Sequence, residues 1–355
     1  MSQRTILVTG GAGFIGSNFI EHYLAHHPSY RIINLDKLTY AGNLENLKTV
    51  KDHPRYTFVK GCICDRTLLE RLFTEHKING VIHFAAESHV DNSISDPGEF
   101  IQTNIVGTFT LLDVARKQWM TGPFSKKSEH QNSRFLHIST DEVYGSSGES
   151  GLFTETTAYA PNSPYSASKA SSDFLVRSYF HTYGLNVVTT NCSNNYGPKQ
   201  HSEKLIPTVI RKALAGENIP VYGQGTNVRD WLYVEDHCRG IALAFKNGNA
   251  GETYNIGGRN EWTNLAIVEK ICAILDQKRP RPDGTQHRQF ISFVTDRPGH
   301  DLRYAIDASK IETELGWRAQ ETFQTGIVRT VEWYLNRSST AQVERKTDKN
   351  LLIAP

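Results

Sequence analysis

Thr5-Ile6-Leu7-Val8-Thr9-Gly10-Gly11-Ala12-Gly13-Phe14-Ile15-Gly16 is a short β-branched run that passes directly into a glycine-rich turn. From Ser17 to Ala25 the apolar residues Phe19, Ile20, Tyr23 and Leu24 then take helical spacing. Strand, glycine turn and helix in this order let the backbone approach a pyrophosphate seated on the helix N-terminus. A glycine pattern alone is a weak signal, but here the strand precedes it and the helix follows it. A second strand, 31–35, ends in Asp36, twenty positions beyond Gly16. A carboxylate there suits a free ribose hydroxyl and repels a 2′-phosphate, so NAD is expected over NADP. Lys37 beside it weakens that preference slightly. The bland alternative is a glycine turn with no ligand.

Outward from this unit the same alternation continues. Residues 56–60 read as a third strand, 66–76 as a helix and 80–86 as a fourth strand, whose small Ala85 and Ala86 permit close approach of a cofactor. Residues 134–138 read as a buried strand, 165–183 as a helix and 185–190 as a strand. The pattern predicts an α/β fold, a Rossmann-like doubly wound parallel sheet with a smaller mixed α/β substrate-binding domain. Ligands of such sheets bind outside the carboxyl ends of the strands. At one of those ends stands Ser139-Thr140-Asp141-Glu142-Val143-Tyr144-Gly145, a hydroxyl followed by two adjacent carboxylates. Tyr165 and Lys169, four positions apart, share one helix face. A nearby ammonium favours phenolate and lowers a reference pKa of about 10. Adjacent carboxyls raise each other's pKa, so one can stay protonated while the other acts as base. Hydroxyl, carboxylates and activated phenol together point to proton chemistry coupled to a redox step.

Beyond Asn191 the texture changes. Residues 194–198 read as a polar turn, and a helix opens at Lys204 and reaches Ala215. Residues 219–222 with Gly223-Gln224-Gly225 look like a hairpin, 229–234 and 253–256 like strands, and 264–276 like a helix. Residues 296–301 read as a turn exposing a guanidinium and an imidazole. Lys204, Arg229, Arg297 and His300 are the right groups for a diphosphate if the fold brings them together. His89 reads either as a ligand or base or as a hydrogen-bonded structural residue. Residues 100–116 form a long, broadly apolar helix, 121–133 a polar surface excursion, 145–151 a flexible loop over the site, and the segment after Asn336 a polar, loosely ordered tail. The expected division is 1–198 for the dinucleotide with 230–258 returning to it, 199–229 and 259–340 for the substrate, and 341–355 as tail.

A chain of 355 residues suggests two domains, and 38% hydrophobic residues suffice for a core. A formal charge of +2 gives no support to nucleic-acid or membrane binding. The five cysteines, Cys62, Cys64, Cys192, Cys238 and Cys272, are odd in number and lack zinc-ligand spacing, so buried thiols are expected and no metal. The start of the chain enters a strand at once and no long apolar span follows, so a cytoplasmic location is expected.

The residues then match a known group. The 10–16 glycines, Asp36, and Tyr165 with Lys169 resemble the extended short-chain dehydrogenases acting on nucleotide sugars. Residues 36–44, 85–91, 139–145, 194–198 and 296–301 closely resemble the dTDP-glucose 4,6-dehydratase family within that group, over roughly residues 4–335. The resemblance implies NAD as cofactor, dTDP-glucose as substrate and a homodimer paired through the helices near 100–116 and 166–183. It implies that Tyr165, aided by Lys169, takes the proton of the glucose 4-hydroxyl while the C4 hydride leaves, with Thr140 holding that hydroxyl. Glu142 then removes the C5 proton and Asp141 protonates the departing C6 hydroxyl. Carried over by residue, the cofactor meets Gly10, Gly13, Phe14, Ile15, Gly16, Asp36, Lys37, Leu38, Thr39, Cys62, Ile63, Phe84, Ala85, Ala86, Thr103, Tyr165, Lys169 and Asn195. The nucleotide sugar meets Ser88, Thr140, Asn194, Lys204, Leu205, Pro220, Tyr222, Arg229, Asn264, Arg297 and His300. Cys62 stands where the family usually has an aspartate, and a thiol is a poor acceptor, so weaker NAD retention is expected. Alternatives are a UDP- or GDP-sugar 4,6-dehydratase, a UDP-sugar 4-epimerase, which needs neither C6 acid nor C5 base, and a non-catalytic dinucleotide sensor.

Overall fold

In the computed structural model, which describes residues 3–148, 150–296 and 300–351, strands and helices alternate through the first half of the chain. It opens with β1 (Arg4–Thr9), α1 (Phe14–His26), β2 (Tyr30–Asp36), β3 (Tyr56–Lys60), α2 (Arg66–His76) and β4 (Ile78–His83). Two short helices, α3 (Val90–Ser95) and α4 (Gly98–Phe100), lead into a π-helical stretch, Ile101–Gly107, and then α5 (Thr108–Trp119). A small hairpin of β5 (Met120–Gly122) and β6 (Ser125–Lys126) precedes β7 (Arg134–Thr140), α6 (Pro164–Tyr183) and β8 (Val187–Cys192). The second half begins with β9 (Asn194–Tyr196), α7 (Leu205–Ala215), β10 (Ile219–Tyr222), β11 (Val228–Tyr233) and α8 (Val234–Asn247). It ends with β12 (Thr253–Ile256), β13 (Glu261–Thr263), α9 (Asn264–Lys278), β14 (Ile291–Val294), β15 (Arg303–Tyr304), α10 (Ser309–Leu315) and α11 (Phe323–Leu351).

Seven strands form one parallel sheet in the order β12-β8-β7-β4-β1-β2-β3. The chain winds outward from β1 to β3, then re-enters beside β1 as β4. Between β1 and β4 the strand order therefore reverses, and the loops at the carboxyl ends diverge into a crevice. The central strands are buried on both faces, which is why β1 and β7 read as continuous apolar runs rather than alternating ones. On one face Val8, Leu136 and Ile82 pack with Phe19 of α1 and Ile241 of α8. On the other, Leu7, Val81 and Phe135 pack with Leu72, Leu111 and Val176 of α2, α5 and α6. A third core, with Ile210, Trp231, Ile271 and Phe323, lies among the second-half elements. There β13, β11 and β15 form a small sheet that β9 joins, and β10 pairs with β14.

Helix α6 starts and stops where its sequence says it should. Ser163 and Ser166 form a reciprocal capping box, Pro164 occupies the first turn, and Gly184 ends the helix at φ 72°. This fixes the direction in which Tyr165 and Lys169 enter the crevice.

Several expectations need correction. The fourth strand ends at His83, and Phe84-Ala85-Ala86 leave the sheet to line the crevice. The helix expected over 100–116 is π-helical at Ile101–Gly107, and Asn104 within it bonds outside the helix. Its amide donates to the Glu87 carbonyl (3.0 Å) and to Ser168 Oγ (2.8 Å), and its own carbonyl accepts from Ser172 Oγ (2.7 Å). Asn194–Tyr196 is a strand rather than a turn, since Tyr196 is buried in the third core beside β11. Residues 219–225 form no hairpin: β10 pairs in parallel with β14, some seventy residues on, a partner that local sequence cannot announce. Residues 230–233 sit in β11 of the small sheet, so the return to the large sheet begins with α8. The segment after Asn336, expected as a loosely ordered tail, is helical to Leu351, and 352–355 lie outside the described residues.

Candidate active site

The glycine turn and the end of β4 meet at the switch point. Gly10 adopts φ 72°, and a Cβ there would lie 2.6 Å from the Ala85 amide nitrogen. A Cβ on Gly16 would lie 2.5 Å from the Gly10 carbonyl and 2.8 Å from Gly11 Cα. Only hydrogen fits at either position, and the result is a backbone cradle at the start of α1. Asp36, at the end of β2, is buried, and burial raises its pKa against two amide bonds that lower it. Its Oδ2 accepts from Ala12 N and its Oδ1 from Leu38 N, both at 2.8 Å. Each carboxylate oxygen keeps a second lone pair for a hydroxyl. The residues present therefore fit a dinucleotide with an unphosphorylated ribose.

One cavity runs from this cradle to the end of β7. Gly10, Gly13, Phe14, Ile15, Gly16, Asp36, Lys37, Thr39, Cys62, Ile63, Phe84, Ala85, Ala86, Ser88 and Thr103 line it. So do Thr140, Asp141, Glu142, Tyr165, Lys169, Asn194, Asn195 and Lys204, which brings together most residues expected to act. Cys62 lies in the lining, and its Sγ accepts from the Cys64 amide at 3.4 Å. Among the described residues no group of His, Cys, Asp and Glu is placed to hold a metal ion. His89 caps α3, its Nδ1 accepting from the Asn92 amide at 3.4 Å, and its Nε2 lies 3.9 Å from Glu203.

At the far end, Thr140 closes β7 and its Oγ1 accepts from the Glu142 amide at 3.3 Å, which starts a single tight turn over Asp141–Tyr144. That turn places both acids in the cavity lining. Asp141 is 1% exposed, accepts from Thr140 Oγ1 at 3.3 Å, and leaves Oδ2 without a partner. Burial first, then the charges of Glu142 and Asp230, push its pKa well above the usual carboxylate range. The direction of this shift favours the protonated form of Asp141 beside a second carboxyl.

Tyr165 departs from expectation. Its phenol is pushed up, not down, first by burial and then by the charge of Glu142, against a hydrogen bond with Thr140. Lys169 is equally buried and donates to the Ile138 carbonyl at 2.7 Å. Burial lowers its pKa and the nearby Asp173 raises it.

The phosphate-side residues divide. Lys204 lines the cavity and donates to the Ser88 carbonyl at 3.0 Å. Arg229 lies deeper, bonding the Asp301 carbonyl at 2.9 Å, its guanidinium 4.2 Å from the Tyr304 ring centre. The Asn264 amide donates to the Asn227 carbonyl, and Asn227 in turn donates to the Asp301 carbonyl. Tyr222 stands 6.4 Å from His300, ring to ring. The His300 imidazole is not exposed: its side chain is 4% accessible and pairs with Asp296 at 2.6 Å. Leu38, Leu205, Pro220, Tyr222, Arg229, Asn264 and His300 are outside the cavity lining, and Arg297 lies outside the described residues. Sequence reasoning passed over Glu87, Ser193, Gln200, His201 and Glu203, which line the cavity, and Asp173, Asp230 and Tyr304 beside it. Only Asp173 carried a signal, as the next member of the Tyr165, Lys169 row at four-residue spacing.

A family model described as GDP-mannose 4,6 dehydratase matches residues 7–330. The dTDP-glucose 4,6-dehydratase of Xanthomonas campestris pv. campestris (strain B100) is 58% identical over 340 residues, 96% of this chain and 95% of that one. This chain belongs to the dTDP-glucose 4,6-dehydratase family. A second relative, from Neisseria meningitidis serogroup B, is 55% identical and covers 95% of each chain. The crystal structure of the dTDP-glucose 4,6-dehydratase of Bacillus anthracis in complex with NAD superposes with a TM-score of 0.82 at 46% identity, covering 95% of this chain and 98% of that one. The UDP-glucose 4-epimerase of Thermotoga maritima with UDP-glucose superposes with a TM-score of 0.80 at 28% identity, covering 94% and 99%. Dehydratases and epimerases thus share the scaffold, and the distinction between them falls on site residues.

Proposed function

We propose that this protein is an NAD-dependent hydro-lyase that converts dTDP-glucose to dTDP-4-dehydro-6-deoxy-glucose and water. The observation that carries the reading is the buried Asp141 beside Glu142, within the same cavity as Thr140, Tyr165 and the glycine cradle. When bound, NAD supplies the hydride acceptor at C4 and the hydride donor at C6. Thr140 orients the sugar 4-hydroxyl, and Tyr165, once ionised beside the Lys169 ammonium, takes its proton. The C4 ketone acidifies the C5 proton, which Glu142 removes. Asp141 gives its proton to the C6 hydroxyl, which departs as water, and Glu142 returns a proton to C5. Tyr165 gains the one proton that Asp141 loses, so resetting the site transfers a single proton. An epimerase would gain nothing from a protonated acid at this position.

Finer assignments follow the same reading. The nucleotide is held by Ser88, Asn194, Lys204 and Leu205, with Pro220, Tyr222, Arg229, Asn264, Arg297 and His300 on the diphosphate and base side. Residues 1–198 with 234–258 form the dinucleotide unit, and the remaining second-half elements the sugar-nucleotide unit. Ile101, Phe109 and Phe174 expose 54%, 43% and 58% of their surfaces on the π-helical stretch, α5 and α6. Such an apolar face supports a homodimer paired through these helices. Among the described residues no helix is long and apolar enough to cross a membrane. A cytoplasmic enzyme feeding deoxysugar synthesis, dTDP-rhamnose for example, suits this chemistry. Mass spectrometry of a dTDP-glucose incubation tests the assignment. Loss of one water is expected, whereas an unchanged mass with inverted C4 would assign a 4-epimerase, and turnover of UDP- or GDP-glucose alone would reassign the nucleotide.

A further inference from the structure

The row Tyr165, Lys169, Asp173 repeats every four residues, so all three side chains rise from one face of α6. Asp173 is the inner member, 5% exposed, and no step of the reaction above uses it. Its Oδ2 accepts from Ser139 Oγ at 2.7 Å and from the Tyr159 hydroxyl at 3.0 Å. Its Oδ1 lies 3.1 Å from His137 Nε2. His137 and Ser139 belong to β7, whose next three residues are Thr140, Asp141 and Glu142. The network continues through Asn191 of β8, which donates to the Tyr159 and Tyr144 hydroxyls at 3.2 and 3.0 Å. One carboxylate therefore bridges the helix that carries the phenol and ammonium and the strand that carries the two acids. The same carboxylate is the principal group favouring the charged form of Lys169, with Cys192 second.

We propose that Asp173 is a positioning residue of the dehydration: it locks α6 to β7 in the register the reaction needs and, one helical turn from Lys169, is the counter-charge to its ammonium. This rests on the dehydratase reading above. Without a counter-charge a buried lysine loses its proton at lower pH; burial pushes the Asp173 carboxyl up to about 6 against Lys169, Ser139 and Tyr159, so it carries its charge above that pH. The bonds from Ser139 and Tyr159 both end on one oxygen of Asp173, which as a carboxylate oxygen accepts two donors at once. The titratable groups around it are Lys169 on its own helix, His137 on β7 with His83 of β4 behind it (ring centres 5.4 Å apart), Tyr159 and Tyr144 from the segment after β7, and Cys192 on β8.

The test is the pH dependence of kcat for dTDP-glucose dehydration by the full-length holoenzyme, the Asp173→Asn variant and the Ser139→Ala variant, each with a thermal melt to establish folding. Asp173→Asn keeps the shape and removes the charge. Its alkaline limb is expected to move down by about one unit or more, with kcat reduced and KM within twofold. Ser139→Ala keeps the charge and cuts one tie. It is expected to lower kcat about 5- to 10-fold, the worth of one hydrogen bond, with the limb in place. A folded Asp173→Asn enzyme with the wild-type pH profile overturns the counter-charge role. Wild-type kcat in Ser139→Ala overturns the register role, even if Asp173→Asn does not fold. A wild-type enzyme inert toward dTDP-glucose would instead overturn the reading on which both roles rest.

Discussion

Replacing Asp141 by asparagine removes a transferable proton and almost nothing else. The side chain is 1% exposed, its one bond is from Thr140 at 3.3 Å, and asparagine can still accept it. The ground-state cost is therefore at most about 1 kcal/mol. The catalytic cost is that of a general acid, about 10²–10⁴-fold, or roughly 3–5 kcal/mol of barrier. The steps before elimination should survive, because Tyr165, Thr140 and Glu142 are untouched. In D₂O the Asp141→Asn enzyme should therefore oxidise C4, exchange the C5 proton for deuterium through Glu142, and form the 6-methyl product at least about 100-fold more slowly. Proton NMR of recovered sugar reads both events in one sample. Wild-type methyl formation in Asp141→Asn, or loss of C5 exchange together with elimination, would refute the assignment of the acid. A stability signature accompanies it. The folded pKa of Asp141 is raised, so the native state holds its proton more tightly than the unfolded chain does. Its contribution to stability is complete below about pH 4 and is lost as pH rises through the folded pKa. The melting temperature of Asp141→Asn relative to wild type should accordingly rise from acid to alkaline pH.

Other perturbations separate the remaining parts. Glu142→Gln should abolish C5 exchange as well as methyl formation, with a loss of about 10²–10⁴-fold, while reduction of the bound nicotinamide by substrate persists in near-UV absorbance. Gly16→Ala forces a Cβ to 2.5 Å from the Gly10 carbonyl and should cost about 1–3 kcal/mol; the purified variant should melt lower and carry less NAD, and unchanged NAD content would refute the cradle. Phe109→Asp with Phe174→Asp places charges on the exposed α5 and α6 face and should halve the mass seen by light scattering; a wild-type mass would place the subunit contact elsewhere.

The elements legible in the sequence were those whose neighbours are local or whose burial is symmetric. β1, α1 and β2 announce themselves because a two-faced central strand must be apolar throughout and the turn after it must be glycine. Asp141 and Glu142 were legible because the apolar run 134–138 stops just before them, and β7 closes at Thr140. What sequence could not supply is pairing between distant segments: β10 with β14, β9 with β11, and the bond by which Asn104 reaches Ser168. The rise in the Tyr165 pKa was missed for a related reason. Spacing shows that Lys169 is near, but not that burial and Glu142 outweigh it. Tyr304 came from a short strand without periodicity, and its approach to Arg229 exists only in the folded chain.

The central claim is that the two acids at the end of β7 turn a dehydrogenase scaffold to elimination. Its most direct test is proton NMR of dTDP-glucose incubated with the purified protein and no added NAD. Appearance of a C6 methyl group with a C4 ketone is the predicted result. Inversion at C4 without a methyl signal would contradict the roles given to Asp141 and Glu142.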